Sequence, residues 1–325
     1  MIQDDKKSSQ VTRREMMLMG GLTATGLAVD PFGEKCVSAA QVQLSAKPKT
    51  RRFALNTGSL LRYNLSIEEE IAVTARAGYA GIEIWIMRLE NYLNEGKSLA
   101  DLKKRIDDSG LTVENAIGFA NWIVDDDTVR MRGLEQMKRE MGWLAQIGCP
   151  RIAAPASGAT GKRIDDLESC GARYRAILEI GDREGVLPIL ELWGGSATLQ
   201  KLADVVAISM LSTHPKAALL LDAYHLYKGG NDFVSLGLLN GRAMPVFHLN
   251  DYPAVPSRET IADKDRVFPG DGICPFDVLI PLLDTIGFDG VLSLELFNQD
   301  YVNRMTPLEL ATTGLEKMRA IDQQT

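Results

Sequence analysis

Histidine is scarce in this chain of 325 residues: His214, His225 and His248 are the only three. A site that gathers several metal ions around many imidazoles is therefore excluded. Cysteine is almost as rare, and Cys36, Cys149, Cys170 and Cys274 include no Cys-x-x-Cys pair. That spacing rules out a zinc knuckle or a thioredoxin-like redox motif. Cys36 falls in a segment expected to be removed, so the other three are expected to be buried free thiols. No Gly-x-Gly-x-x-Gly follows the first strand-like run, which removes the main support for a dinucleotide fold. Outside the extreme N-terminus there is no block of Lys and Arg, and the net charge is −7. A nucleic-acid surface needs a dense basic patch, so no nucleic-acid partner is expected. Nor is any stretch apolar for long enough to span a bilayer, so no stable membrane insertion is expected. What remains, 45% hydrophobic and 24% charged, is an ordinary globular composition.

Residues 1–45 do not read as part of the fold. Thr12-Arg13-Arg14-Glu15-Met16-Met17 opens a segment whose apolar continuation, Met16 to Val29, is rich in Gly, Ala and Thr. Val37-Ser38-Ala39-Ala40 then offers small residues for cleavage. An arginine pair before a weakly apolar run is the pattern of a twin-arginine export signal. It implies a signal peptide and spacer over 1–45, a periplasmic destination, and a single catalytic domain over 50–325.

From residue 52 onward strand and helix patterns alternate. Strands are expected at Phe53–Gly58, Gly81–Ile86, Leu111–Ile117, Arg151–Ala154, Leu187–Glu191, Ala217–Asp222, Pro245–Asn250 and Val291–Glu295. Helices lie between them, for example from a Ser66/Glu69 capping box to a Gly78 stop, and over Asn231–Leu239. Eight β-α units in about 270 residues predict an α/β fold with a parallel sheet closed into a (β/α)8 barrel. One connection, 251–272, carries no periodicity, and a loop of that length in a compact domain is usually functional.

The last four strands share one feature. Each is an apolar run that stops on a single polar residue: Glu191, Asp222, His248 and Glu295. In a barrel these positions converge at the C-terminal mouth. Three carboxylates held there repel one another and lose hydration, and a divalent cation relieves both. Three oxygens and one imidazole suit one Mn, Mg, Co or Zn ion. Glu83, at the second strand, either reaches the same pocket as a substrate contact or forms an internal ion pair. Trp193 follows the fifth strand, where a sugar ring could stack on it.

The order Glu191, Asp222-x-x-His225, His248, Glu295 resembles the xylose isomerase-like TIM barrel superfamily, specifically its sugar phosphate isomerase/epimerase branch. Ala80-Gly81-Ile82-Glu83-Ile84-Trp85, His248-Leu249-Asn250-Asp251 and Phe268-Pro269-Gly270-Asp271-Gly272 look like the same branch. The resemblance covers residues 52–320. It implies that Glu191, Asp222, His248 and Glu295 bind the metal, and that Glu191 and Glu295 are the catalytic base and acid on opposite faces of the substrate. It implies substrate contacts for His225 and for an arginine after His248, where Arg258 is the first candidate and Arg266 nearly its equal.

The implied activity is isomerisation or epimerisation by proton abstraction next to a carbonyl, through an enediolate. A lyase or dehydratase would share the first step on the same metal site. An AP-endonuclease-like phosphodiesterase needs more histidines than this chain has, and xylose isomerase itself wants one before position 214. A non-catalytic carbohydrate-binding protein would have no need of both glutamates. Export favours a non-phosphorylated keto-sugar or polyol as the small-molecule partner, and assembly into a homo-oligomer is left open.

Overall fold

The computed structural model describes residues 51–323. The signal expected over 1–45 and Cys36 lie outside the described residues. Eight parallel strands form the sheet: β1 (Arg52–Asn56), β2 (Gly81–Trp85), β3 (Thr112–Ile117), β4 (Arg151–Ala154), β5 (Leu187–Glu191), β6 (Leu219–Asp222), β7 (Val246–His248) and β8 (Val291–Leu294). Their order is β3-β2-β1-β8-β7-β6-β5-β4, the sequential order of a barrel. β3 and β4 are the ends of the ladder. A side chain bridges them: Arg151, opening β4, donates to the Glu114 carbonyl of β3 at 2.7 Å and faces the Glu114 carboxylate at 3.6 Å.

Helices α1 (Ile67–Ala77), α3 (Leu99–Ser109), α4 (Asp127–Gln146), α5 (Leu167–Glu184), α6 (Leu202–Leu211), α8 (Phe276–Thr285) and α10 (Pro307–Gln323) occupy the connections around the strands. Their ends are those the sequence encodes. Ser66 caps α1 in a capping box, its backbone N–H donating to Glu69 at 2.8 Å, and Gly78 ends the helix at φ 89°. Asp126 caps α4 by accepting from Val129 N–H. Cys149, Cys170 and Cys274 are buried free thiols.

Four short elements depart from the expected pattern. α2 (Ile86–Asn94) follows β2 directly, α7 (Ala223–Lys228) follows β6, and α9 (Gln299–Arg304) lies after β8. The helix expected over 231–239 is a 3-10 turn, Phe233–Leu238. It is too short for an amphipathic α-helix and leaves Val234 and Leu238 exposed. α7 exists because the Asp222 carboxylate caps it, accepting from His225 N–H at 2.8 Å. Among the described residues no helix is long and apolar enough to cross a membrane.

Inside the barrel side chains stack by the strand period of two. A lower apolar layer includes Ile189, Leu220 and Val246, all buried. Two residues further along the same strands stand Glu191, Asp222 and His248. Glu295 is likewise two residues beyond Ser293, just past β8.

Candidate active site at the barrel mouth

Asp222, His248 and Glu295 meet in the upper layer. One ligand atom from each lies within 4.8 Å of the others, and all three residues are buried. His248 Nδ1 is 3.4 Å from Glu295 Oε2 and 3.7 Å from Asp222 Oδ2. It has no hydrogen-bond partner there. Glu191 stands beside these three rather than among them. It too is buried, and its Oε2 has no partner. A buried imidazole nitrogen and a buried carboxylate oxygen left unpaired in a nest of acids fit a cation held by these residues.

Burial pushes the Glu191 carboxyl up to about 8, helped by the nearby charges of Glu295, Asp222 and Glu83. Burial would push His248 down, but the carboxylates of Glu83 and Glu295 hold it well above its ordinary value. Burial works against ionised Glu295 as well, yet His248 and Arg266 keep it far below the usual carboxylate range. His225 is driven down to about 4 by burial and by the neighbouring Arg266 cation.

Three amides and a fourth carboxylate hold this layer in place. Asn250 donates to Asp222 Oδ2 at 2.8 Å, and its Oδ1 accepts from Tyr224 N–H. Asn56 donates to Glu295 Oε1 at 2.9 Å and accepts from Trp85 Nε1 at 2.8 Å. Asn115 donates to Glu83 at 2.7 Å. Both Glu83 oxygens lie within 3.2 Å of His248 Nε2, which leaves Nδ1 facing Asp222 and Glu295. Glu83 sits in mid-strand rather than at the strand end, and its position makes it the group that orients His248.

Of the two arginines between β7 and β8, Arg266 enters the mouth. Its Nη1 donates to Glu295 Oε2 at 2.8 Å and to Asp222 Oδ2 at 3.3 Å. Its Nη2 lies 3.1 Å from His225 Nε2 and also bonds Asp263. The guanidinium packs between the rings of Tyr224 and Phe297, at 4.4 and 5.0 Å. Arg258, the first candidate, lies apart: its side chain is half exposed and stands by Glu259 and Tyr227. The reason is how the long loop is anchored. The Asp251 carboxylate accepts from Gly270 N–H, Gly272 N–H and Cys274 N–H, and Asp251 pairs with Val267 through backbone bonds. That fixture turns Arg266 inward and leaves the middle of the loop outside.

Above the charged layer opens a cavity of about 290 Å³, lined among others by Glu191, Trp193, His225, Arg266, Glu295 and Phe297. Its size is at the small end for ligand pockets. Phe297, Trp85, Phe119 and Trp193 form a run of neighbouring rings around its rim, with centroids 5.4 to 6.4 Å apart. Trp193 therefore lines the cavity, as the sequence suggests, whereas Trp122 is wholly buried with its indole N–H on the Pro155 carbonyl. Sequence reasoning missed Asn56 and Asn115. Each follows or sits within an apolar strand run, as the acids do, but an amide carries no comparable cost of burial to draw notice.

The family model described as xylose isomerase-like TIM barrel matches residues 71–321. An inosose isomerase of Bacillus velezensis is 26% identical over 264 residues, covering 79% of this chain and 92% of that one. A 3-dehydroshikimate dehydratase of Pseudomonas putida is 22% identical over 269 residues, covering 80% of this chain and 40% of the relative. Among solved structures, the IolI protein with a bound zinc atom superposes with a TM-score of 0.78 at 23% identity, covering 84% of this chain and 98% of that one. With its barrel and its family match in agreement, the chain belongs to the xylose isomerase-like TIM barrel family.

Proposed function

We propose that this protein is a divalent-metal-dependent isomerase or epimerase of a small, non-phosphorylated keto-sugar or keto-polyol, working by removal of a proton next to a carbonyl. The observation that carries the proposal is the buried trio of Asp222, His248 and Glu295 with the unpaired Glu191 oxygen beside it. The similarity to inosose isomerases supports the reaction class, and the zinc atom of the IolI structure supports a metal. Asp222, His248, Glu295 and Glu191 would hold the cation. When bound, it supplies Lewis-acid stabilisation of the charge that develops on the substrate oxygens as the proton leaves.

The remaining steps fall to side chains. Glu191 lines the cavity and its Oε2 has no hydrogen-bond partner; with a cation offsetting the burial that raises its pKa, one of its oxygens would serve the ion and the other take the proton. Glu295 is different. Asn56 and Arg266 occupy its two oxygens, and His248 and Arg266 keep it ionised, which suits a ligand better than a proton donor. Of the two glutamates expected to act as base and acid, Glu191 is the better placed for proton transfer. His225 Nε2 accepts from Arg266, so its Nδ1 bears the hydrogen, has no partner, and is available to a substrate hydroxyl. Trp193 and Phe297 wall the cavity and exclude water from the reacting carbon.

Purified protein loaded with Mn²⁺ and incubated with ketohexoses in D₂O tests this reading. Deuterium should enter at the carbon next to the carbonyl with the skeleton intact. Loss of a hydroxyl group would instead establish the lyase reading, which the dehydratase relatives favour. No exchange on any ketose tried would contradict both. We further propose export to the periplasm, on the Arg13-Arg14 pattern. A mature N-terminus found intact at Met1 in cell fractions would contradict it.

A further inference from the structure

We infer that the substrate carries a carboxylate at the end remote from the reacting carbon, gripped by Arg62 and Lys264. The inference rests on the reading of the mouth cavity as the substrate site. Six charged side chains line that cavity: Glu191, Glu295 and Asp263 against Arg62, Lys264 and Arg266. Arg266 is committed to Asp222, Glu295 and Asp263, and Asp263 to Arg266. Glu191 and Glu295 belong to the floor. That leaves Arg62 and Lys264, both exposed and neither ion-paired with any described residue.

The topology puts them on one side. Arg62 closes the 3-10 turn after β1, and Lys264 lies in the 3-10 turn of the loop after β7. β8 runs between β1 and β7, and Phe297 follows it at the rim. Glu191 and Trp193 come from β5 and its loop, two strands beyond β7. A ligand whose reacting carbon lies over Glu191 thus reaches the two cations with its far end.

An acidic floor repels an anion, so an anionic end needs a dedicated counter-charge on the rim. A carboxylate suits this pair better than a phosphate. The planar guanidinium of Arg62 matches two carboxylate oxygens, and Lys264 adds a point charge. Phosphate cradles recruit backbone N–H groups from Gly-rich loops. The Ser157–Gly161 loop after β4 is not among the cavity's lining residues, and its Ser157 hydroxyl is turned onto the Phe119 carbonyl.

The test is a matched set: D-fructose, D-fructuronate and D-fructose 6-phosphate, which differ only at the far carbon. Binding is read by calorimetry on the Mn²⁺-loaded protein, and exchange by NMR in D₂O. D-fructuronate should bind about 10-fold tighter than the other two, since an exposed charge-assisted pair is partly screened. Arg62→Gln and Lys264→Gln should each shrink the acid-over-neutral ratio and the double variant should abolish it, as should about 0.5 M salt. Equal affinity for D-fructose and D-fructuronate, a ratio unmoved in the double variant, or a preference for the phosphate would overturn the inference. Exchange into ketoses without acid preference would leave the isomerase reading standing and remove this one. Acid preference without exchange on any member would do the reverse.

Discussion

Two layers of side chains share the same strands and do opposite things. Ile189, Leu220 and Val246 form an apolar floor inside the barrel. One strand period above them, Glu191, Asp222 and His248 join Glu295 in a layer that is also buried but charged. The lower layer stabilises the fold by keeping apolar surface from water. The upper layer costs stability, because each ionised group there has lost its hydration; the amides and Arg266 offset part of the loss, and the proposed cation would offset more.

Substitution within the upper layer should show the largest effect. Glu191→Gln should slow exchange by about 10²- to 10⁴-fold, the usual span for losing a general base. At pH 9 the same variant, without metal, should melt above the wild type, since the amide removes a charge that burial opposes. A lower melting temperature in that variant would mean the upper layer contributes to stability like the floor. Below it, Leu220→Ala should lose about 2 to 5 kcal/mol of stability, the range for a truncated core leucine. Metal affinity measured well below the melting temperature should hardly move. A matched loss of both would merge the two layers into one.

Much of this division is legible in the chain. Apolar runs that stop on Glu191, Asp222, His248 and Glu295 announce both layers, because a strand's period of two places floor and site on one face. The capping box at Ser66 and the glycine stop at Gly78 are local signals and are found in place. What the sequence hides is non-local. Arg266 rather than Arg258 enters the site because Asp251 gathers three backbone N–H groups from the far end of its loop. Glu83 reads in the sequence as either a pocket contact or one half of an internal ion pair, yet its partner is His248 across the barrel. The short helix after Asp222 is set by a capping bond that the apolar pattern does not encode.

A subtler way to sharpen the contrast is to loosen the upper layer without removing a ligand. Glu83→Gln keeps the shape but weakens the acceptor on His248 Nε2. Divalent-cation affinity should fall about 10- to 100-fold, as for other outer partners of metal histidines, while the melting temperature without metal changes little. Unchanged affinity would make Glu83 a packing group.

The charged layer should also betray itself through pH. Glu191 ionises near 4.5 when free and at about 8 in the folded chain, so between those values the folded state holds a proton the unfolded state has released. The stability it contributes is full below pH 4.5 and is lost as pH rises through 8. The melting temperature of the metal-free protein should therefore decline from about pH 5 to pH 8, and Glu191→Gln should flatten that decline. A flat profile in the wild type would remove Glu191 from the buried charged layer.

The most direct test of one cation shared by the strand ends is anomalous diffraction from a crystal soaked in Mn²⁺. One peak bounded by Asp222, Glu295 and His248 Nδ1, with Glu191 beside it, is the predicted result. A barrel mouth without a peak in the soaked crystal would contradict it.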